Sequence, residues 1–296
     1  MKYRIMVTGA AGQLGYDVVK TFGSDGYHVL GCDREQMDIT DQQQCKDLIY
    51  AFRPDIIIHC AAYTAVDQAE SDIDTAFSIN AVGTRNIAVA AENVKAKLVY
   101  ISTDYVFDGR GNTPYQEYNE TNPQSVYGTS KLAGERLVQS LNTRWFIIRT
   151  SWVYGSHGHN FVKTMLDLMG KRPQLQVVHD QQGAPTYTVD LARLIAELAI
   201  SEKYGIYHAS NAGSCTWFEF AQAIAEEAIQ HGFFQATAQI AEIVACTTAE
   251  FPRPASRPAY SVMDHMAIRT NGLQAMRPWR EALITFLHEL NTEQTN

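Results

Sequence analysis

The segment VTGAAGQLG, residues 7–15, narrows the folds open to this chain more than any other stretch. It sets Gly9, Gly12 and Gly15 directly behind the apolar run YRIMVT (3–8) and at the start of a helical pattern over 13–22. Glycines at a strand-to-helix junction allow a tight turn and a close backbone approach. The first turn of the helix then offers N–H groups that have no intrahelical partner. Such a junction suits a diphosphate, with Gln13 and Leu14 at its edge. Dinucleotide binding is the first expectation, and a purely structural turn is the alternative.

Further strands read at YHVLGC (27–32), DIIIHCA (55–61), KLVYIST (97–103) and WFIIRTSWVYG (145–155). They alternate with helical patterns over 38–52 and 72–93 and from Tyr127 onward, and Thr40 is the expected cap of the first of these. Near-continuous apolar strands such as DIIIHCA belong in a parallel sheet covered on both faces. The expected fold class is α/β, a doubly wound parallel Rossmann sheet with a smaller C-terminal substrate-binding lobe. Its crevice should lie at the carboxyl ends of the strands. Residues 1–155 are the expected dinucleotide domain, and 156–296 mainly the substrate lobe, with some segments returning to the sheet. In that second part 160–170, 187–200, 217–230 and 279–291 look helical, and 175–178 and 205–210 look like strands. FPRPASRPAYSVM (251–263) is a proline-broken loop, and the polar tail NTEQTN is expected to fray.

At 296 residues and 46% hydrophobic, the chain can bury a large core. Lys plus Arg at 24 against Asp plus Glu at 32 gives a formal net charge of -8. This disfavours nucleic acid as a partner but leaves room for a local anion site. No apolar run approaches the roughly 18 residues of a membrane span. The N-terminal stretch reaches its glycine turn within about six residues, which is not the pattern of a signal peptide. Five scattered cysteines without a CxxC suit a reduced, cytoplasmic protein. No metal is expected, because His157 and His159 have no cysteine or acidic partner at ligand spacing.

Asp33 and Arg34 follow the second strand. An acidic residue there holds the adenosine ribose and favours NAD. An arginine that meets a 2′-phosphate, with Asp33 turned away, favours NADP. The lean is towards NADPH, with NADH open. Ala61, Ala62 and Tyr63, behind the third strand, should lie along the middle of the dinucleotide. ISTDYVFDG (101–109) brings Thr103 to the place of the nicotinamide, although STD also suits a turn cap. In SVYGTSKLAGE (125–135), Tyr127 and Lys131 share one helix face. A phenol with a pKa of about 10 is a sluggish donor at neutral pH, and a nearby lysine cation eases its release. The pattern reads as a ketone reductase. Hydride goes to a carbonyl carbon, Tyr127 gives the proton, Thr103 meets the oxygen, and Lys131 holds the nicotinamide ribose. Asn80 either braces this scaffold or is a surface amide. Arg253 and Arg257 offer forked donors to a diphosphate, or belong to a charged surface loop.

The glycine segment has the spacing of extended short-chain dehydrogenases. Over essentially its whole length the chain resembles the dTDP-4-dehydrorhamnose reductases. The matching pieces are VTGAAGQLG, DITD, IIIHCAAYTAVDQAE, INAVGTRNIA, YISTDYVFDG, YGTSKLAGE, IIRTSWVYG, GAPTYTVDLA and RPAYSV. The resemblance implies reduction of the 4-keto group of dTDP-4-dehydro-6-deoxy-L-mannose to dTDP-L-rhamnose, with NADPH or NADH, for a cell-surface polysaccharide. It gives Tyr127, Lys131 and Thr103 the roles above and puts Asp38 and Ile39 beside the adenine. Val66, Asp67, Asp104, Tyr105 and Trp152 fall around the sugar, and Arg257 at the nucleotide, with Arg253, Asn160 and Phe161 nearby. Some relatives dimerise around magnesium held by acidic residues, one of them directly after the third glycine. Tyr16 stands there, so magnesium is doubtful and a monomer or weak homodimer is expected. Two alternatives stay open: another nucleotide-sugar reductase or epimerase, and a non-catalytic subunit like the regulatory subunit of methionine adenosyltransferase.

Overall fold

The computed structural model describes residues 2–234 and 240–295, the last three by backbone alone. Strands β1 (Arg4–Thr8), β2 (His28–Cys32), β3 (Ile56–His59), β4 (Lys97–Thr103) and β5 (Trp145–Thr150) build the main sheet. After the short strands β6 (Val153–Tyr154), β7 (Gln174–Val178), β8 (Gln182–Gly183) and β9 (Thr186–Tyr187), β10 (Gly205–His208) returns to it. The order is β2-β1-β3-β4-β5-β10, and every pairing is parallel. From β1 the chain runs outward to β2 and then crosses to β3, so a crevice opens beyond the carboxyl ends of β1 and β3.

The strand sequences explain why both faces are covered. Successive side chains point to opposite faces. Ile5, Val7, Ile56, Ile58, Val99 and Ile148 pack with α1 (Gln13–Ser24) and, later in the chain, Leu191, Ile195 and Leu198. Met6, Ile57, Leu98, Tyr100 and Ile147 face the other way, towards α2 (Gln42–Phe52) and Ile87 and Val138. Full burial of each such aliphatic side chain contributes about 1.5–3 kcal/mol, which is why the runs are apolar throughout.

Between β3 and β4 lie α3 (Val66–Ala69), α4 (Ile73–Phe77), a π-helical turn Ser78–Gly83 and α5 (Thr84–Val94). The expected single helix over 72–93 is therefore interrupted. Next come α6 (Val126–Leu141), α7 (Phe161–Met169), α8 (Thr188–Ile200) and α9 (Trp217–Gln230) after β11 (Cys215–Thr216), followed by β12 (Glu242–Cys246), α10 (Met266–Thr270) and α11 (Trp279–Thr295). A second core joins Val162, Met165, Phe220, Ile224, Leu283 and Phe286 of α7, α9 and α11. β7 pairs with β12, a strand with no counterpart in the sequence reading.

Three local expectations are corrected. Asp41, not Thr40, caps α2, accepting from the N–H groups of Gln43 and Gln44. Thr40 instead donates its hydroxyl to Asp38 at 2.7 Å. The segment 145–155 is two strands, because Trp152 takes φ 48° and breaks the run. The tail from Asn291 to Thr295 is part of α11. Among the described residues no helix is long and apolar enough to cross a membrane, and the five cysteines are free.

Candidate active site

A cleft of about 760 Å³ runs along the carboxyl ends of β1, β3 and β4. At one end stands the glycine turn. Gly9 has φ +66°, and a Cβ there would lie 2.7 Å from the Ala61 nitrogen; a Cβ on Gly15 would lie 2.1 Å from the Gly9 oxygen. Gly12 caps α1 with no side chain to fill its N–H groups, so they remain open to a diphosphate. Gly9, Gly12, Gln13, Leu14 and Gly15 all line the cleft, as do Asp33, Arg34, Asp38, Ile39, Ala61, Ala62, Tyr63 and Val66. Asp33 is folded back: its Oδ1 accepts from the N–H groups of Glu35 at 2.9 Å and Gln36 at 3.4 Å. The Arg34 side chain is 85% exposed and pairs loosely with Asp38 at 3.8 Å. The Arg34 guanidinium is thus largely in solvent at the edge of the cleft.

At the other end are Thr103, Asp104, Tyr105, Tyr127, Lys131 and Trp152. Ser125 caps α6 by accepting from the Gly128 N–H at 3.1 Å, which starts the helix just before Tyr127. Burial pushes the Tyr127 phenol up from its ordinary pKa, the nearby Thr103 side chain opposes this, and Asp104 and Tyr105 add to the rise. Lys131 is 2% exposed, and burial lowers its pKa to about 7 against the raising pull of Glu135 and Cys60. Its ammonium lies 4.1 Å from the centre of the Tyr100 ring. Burial sets the direction at both groups, and the Lys131 nitrogen rests on the face of Tyr100. Asp104, also 2% exposed, accepts from the Thr103 hydroxyl at 2.9 Å, while its Oδ2 has no partner. Burial raises the Asp104 carboxyl to about 6, against the lowering effect of the Ser261 and Thr103 side chains.

Asn80 is not a surface amide. Only 1% exposed, it accepts from the Tyr63 N–H at 2.8 Å and donates to the Tyr63 carbonyl and to Ser130 Oγ at 2.9 Å. The π-helical turn aims it there, so one amide ties the loop behind β3 to α6 beside Lys131.

Arg253 and Arg257 do not line the cleft. Both grip Asp67 of α3, with Nη2 atoms 2.7 Å and 2.8 Å from its two carboxylate oxygens. Arg257 also donates to the Tyr105 hydroxyl at 3.2 Å, and Tyr105 meets Tyr127 edge-on at 5.6 Å between ring centres. Asn160 caps α7 and donates to Gln13 Oε1 at 3.1 Å, joining the second lobe to the glycine turn, while Phe161 packs on Trp217 and Phe220 away from the cleft.

Sequence reasoning missed a buried pair behind the site. Glu135 of α6 takes a forked bond from Arg149 of β5, at 2.9 Å and 2.8 Å, and a bond from Ser102 Oγ at 2.5 Å. Glu135 sits four residues after Lys131, a spacing visible in the chain, but nothing local announces Arg149. Thr150 and Ser151, which also line the cleft, were hidden inside an apolar strand reading.

A profile of the family described as RmlD substrate binding domain matches residues 2–292. The spore coat polysaccharide biosynthesis protein SpsK of Bacillus subtilis (strain 168) is 44% identical over 286 residues, 97% of each chain. The dTDP-4-dehydrorhamnose reductase of Aggregatibacter actinomycetemcomitans is 41% identical over 288 residues, 95% of this chain and 97% of that one. The crystal structure of dTDP-4-dehydrorhamnose reductase from Bacillus anthracis str. Ames in complex with NADP superposes with a TM-score of 0.92 at 46% identity, over 98% of this chain and all of that one. With the glycine turn, Thr103 and the Tyr127–Lys131 helix on one cleft, the chain belongs to the RmlD family, that of the dTDP-4-dehydrorhamnose reductases.

Proposed function

We propose that the chain reduces the C4 ketone of dTDP-4-dehydro-6-deoxy-L-mannose to give dTDP-L-rhamnose, with NADPH preferred over NADH. The carrying observation is that Tyr127 and Thr103 line one cleft, which begins at a glycine turn without a side-chain cap. NADPH, when bound, supplies the hydride to the carbonyl carbon. Tyr127 delivers the proton to the oxygen as it gains charge, and the Thr103 hydroxyl, which otherwise donates to Asp104, turns to meet that oxygen. A phenol whose proton is held this tightly stays protonated until an alkoxide forms beside it. Lys131 is placed to hold the nicotinamide ribose, and a nucleotide's negative charge beside it favours its protonated form.

The preference for NADPH rests on Asp33 being engaged with its own turn and on Arg34 being exposed and only loosely paired with Asp38. We assign residues 1–155 to the coenzyme and most of 156–296 to the sugar nucleotide, with Val66, Asp104, Tyr105 and Trp152 at the sugar and, beyond the cleft lining, Arg257, which donates to Tyr105, and Arg253 towards the diphosphate. The protein is read as a cytoplasmic monomer or weak homodimer without magnesium, since Tyr16 stacks on His157 where an acidic ligand would be needed.

The test is coenzyme oxidation, followed by nicotinamide absorbance, with the freshly made keto sugar and NADPH or NADH. Rapid turnover with NADPH is expected, and a loss of about 10²- to 10⁴-fold in Tyr127→Phe. Coenzyme binding without oxidation of any dTDP-4-keto sugar sinks the reading and points to the non-catalytic subunit instead.

A further inference from the structure

Trp152 forms part of the cleft wall, and its backbone lies in the left-handed region at φ 48°. A non-glycine residue persists there only when its surroundings hold it. The backbone is held by the segment 182–187: the Thr186 N–H donates to the Trp152 carbonyl at 3.2 Å, and Ser151 Oγ donates to the Ala184 carbonyl at 2.7 Å. The indole needs its own support, and two features supply it. Trp217 stacks on it with ring centres 3.6 Å apart and planes within 12°. Gly183 lies against it so closely that a Cβ there would stand 2.6 Å from Trp152 Cε2.

Both supports hang on one piece of chain. β8, which carries Gly183, pairs with β11, and β11 ends at Thr216, the cap of α9. The Thr216 hydroxyl and Glu219 carboxylate form a reciprocal capping box, so Trp217, the first residue of α9, starts from a rigid point. Phe161 packs on Trp217 at 4.6 Å between ring centres. Trp217 is not among the residues lining the cleft, so any effect it has on a ligand passes through Trp152.

We propose that Trp217 is the positioning residue that sets sugar specificity, by holding the Trp152 indole as a fixed apolar wall for the C5 methyl of a 6-deoxy sugar. This rests on the function read above. A rigid indole face rewards a methyl and leaves the hydroxyl of a 6-hydroxy sugar without a partner. A loose indole discriminates less, because the site must first be ordered by its ligand.

The experiment compares the parent with Trp217→Phe, Trp217→Leu and Gly183→Ala, using NADPH and the 6-deoxy and 6-hydroxy keto forms of the same dTDP-sugar. Two indoles stacked this closely give an exciton couplet in circular dichroism, which reads the Trp152–Trp217 geometry directly. Trp217→Leu is expected to abolish the couplet and raise KM for the 6-deoxy sugar about three- to tenfold, the range for one aromatic pair. kcat should change little, and the preference for the 6-deoxy sugar should fall by a similar factor. Trp217→Phe also loses the couplet but should recover much of the KM, because a ring still backs the indole. Gly183→Ala pushes on the indole directly, keeps the Trp217 side chain, and should give the same loss of preference with a weakened couplet. A Leu variant that loses the couplet yet keeps its KM and preference overturns the proposal. Equal losses in kcat, coenzyme affinity and thermal stability overturn it too, since they mark general damage. If the parent turns over no 6-deoxy keto sugar, the underlying function falls and the proposal with it.

Discussion

At Asp104 burial works against ionisation. Its folded pKa of about 6 stands above the ordinary 3.8, so the folded protein holds this proton more tightly than the unfolded chain. The stability it contributes is complete below about pH 4 and is lost as the pH rises through about 6, a span worth at most about 3 kcal/mol. Asp104→Asn keeps an acceptor for the Thr103 hydroxyl and removes the charge. It should be more stable than the parent above pH 6, with the gain fading towards pH 4, in urea unfolding across that range. Its turnover should fall, as expected of a strained polar group kept for function. At this scale the residue types were legible in the chain, and Tyr127, Lys131 and Thr103 meet at one cleft as their spacing suggests. Their charge states were not, because desolvation depends on everything packed around them.

Between β3 and β4, a helical period that reads as continuous contains one π-helical turn, and that turn carries the Asn80 amide inward. Asn80→Ala would leave the part-buried Tyr63 N–H and C=O without their Asn80 partner. We expect a stability loss of about 1–3 kcal/mol by thermal or urea unfolding, with weaker coenzyme binding by titration. A surface amide would cost about 0.5 kcal/mol or less. Such a turn adds one residue to a repeat and leaves the apolar pattern nearly intact, so periodicity alone passes over it. Trp152 is similar. The run WFIIRTSWVYG has the composition of one strand, and only the pairing of β6 with β9 shows the break. The shift of the α2 cap from Thr40 to Asp41 has a simpler cause. Both residues are good caps, and Asp38 takes the Thr40 hydroxyl for itself.

Across the whole molecule, the loop carrying Arg253 and Arg257 closes onto α3 of the sheet half through Asp67. The Arg257 side chain is 16% exposed and that of Arg253 47% exposed, so the two should not matter equally. Arg257→Ala should raise the KM for the dTDP-sugar by about 10- to 100-fold, the range for hydrogen bonds to charged groups, and weaken inhibition by dTDP in parallel. Arg253→Ala should do much less, because an exposed ion pair is screened by water. Equal effects of the two substitutions in that inhibition assay would contradict the placement.

By itself the sequence determined the class of fold, the strand-turn-helix that offers free N–H groups, and the phenol and lysine on one helix face. These follow from local rules: side-chain periods, glycine at a crowded turn, and residues four apart on a helix. Only the tertiary structure decided that Arg149 would meet Glu135, that Asp67 would hold both arginines, and that Trp217 would back Trp152. Those partners lie 14 to 190 residues apart in the chain. No local preference specifies which distant side chain arrives, because the choice is made by how whole elements pack.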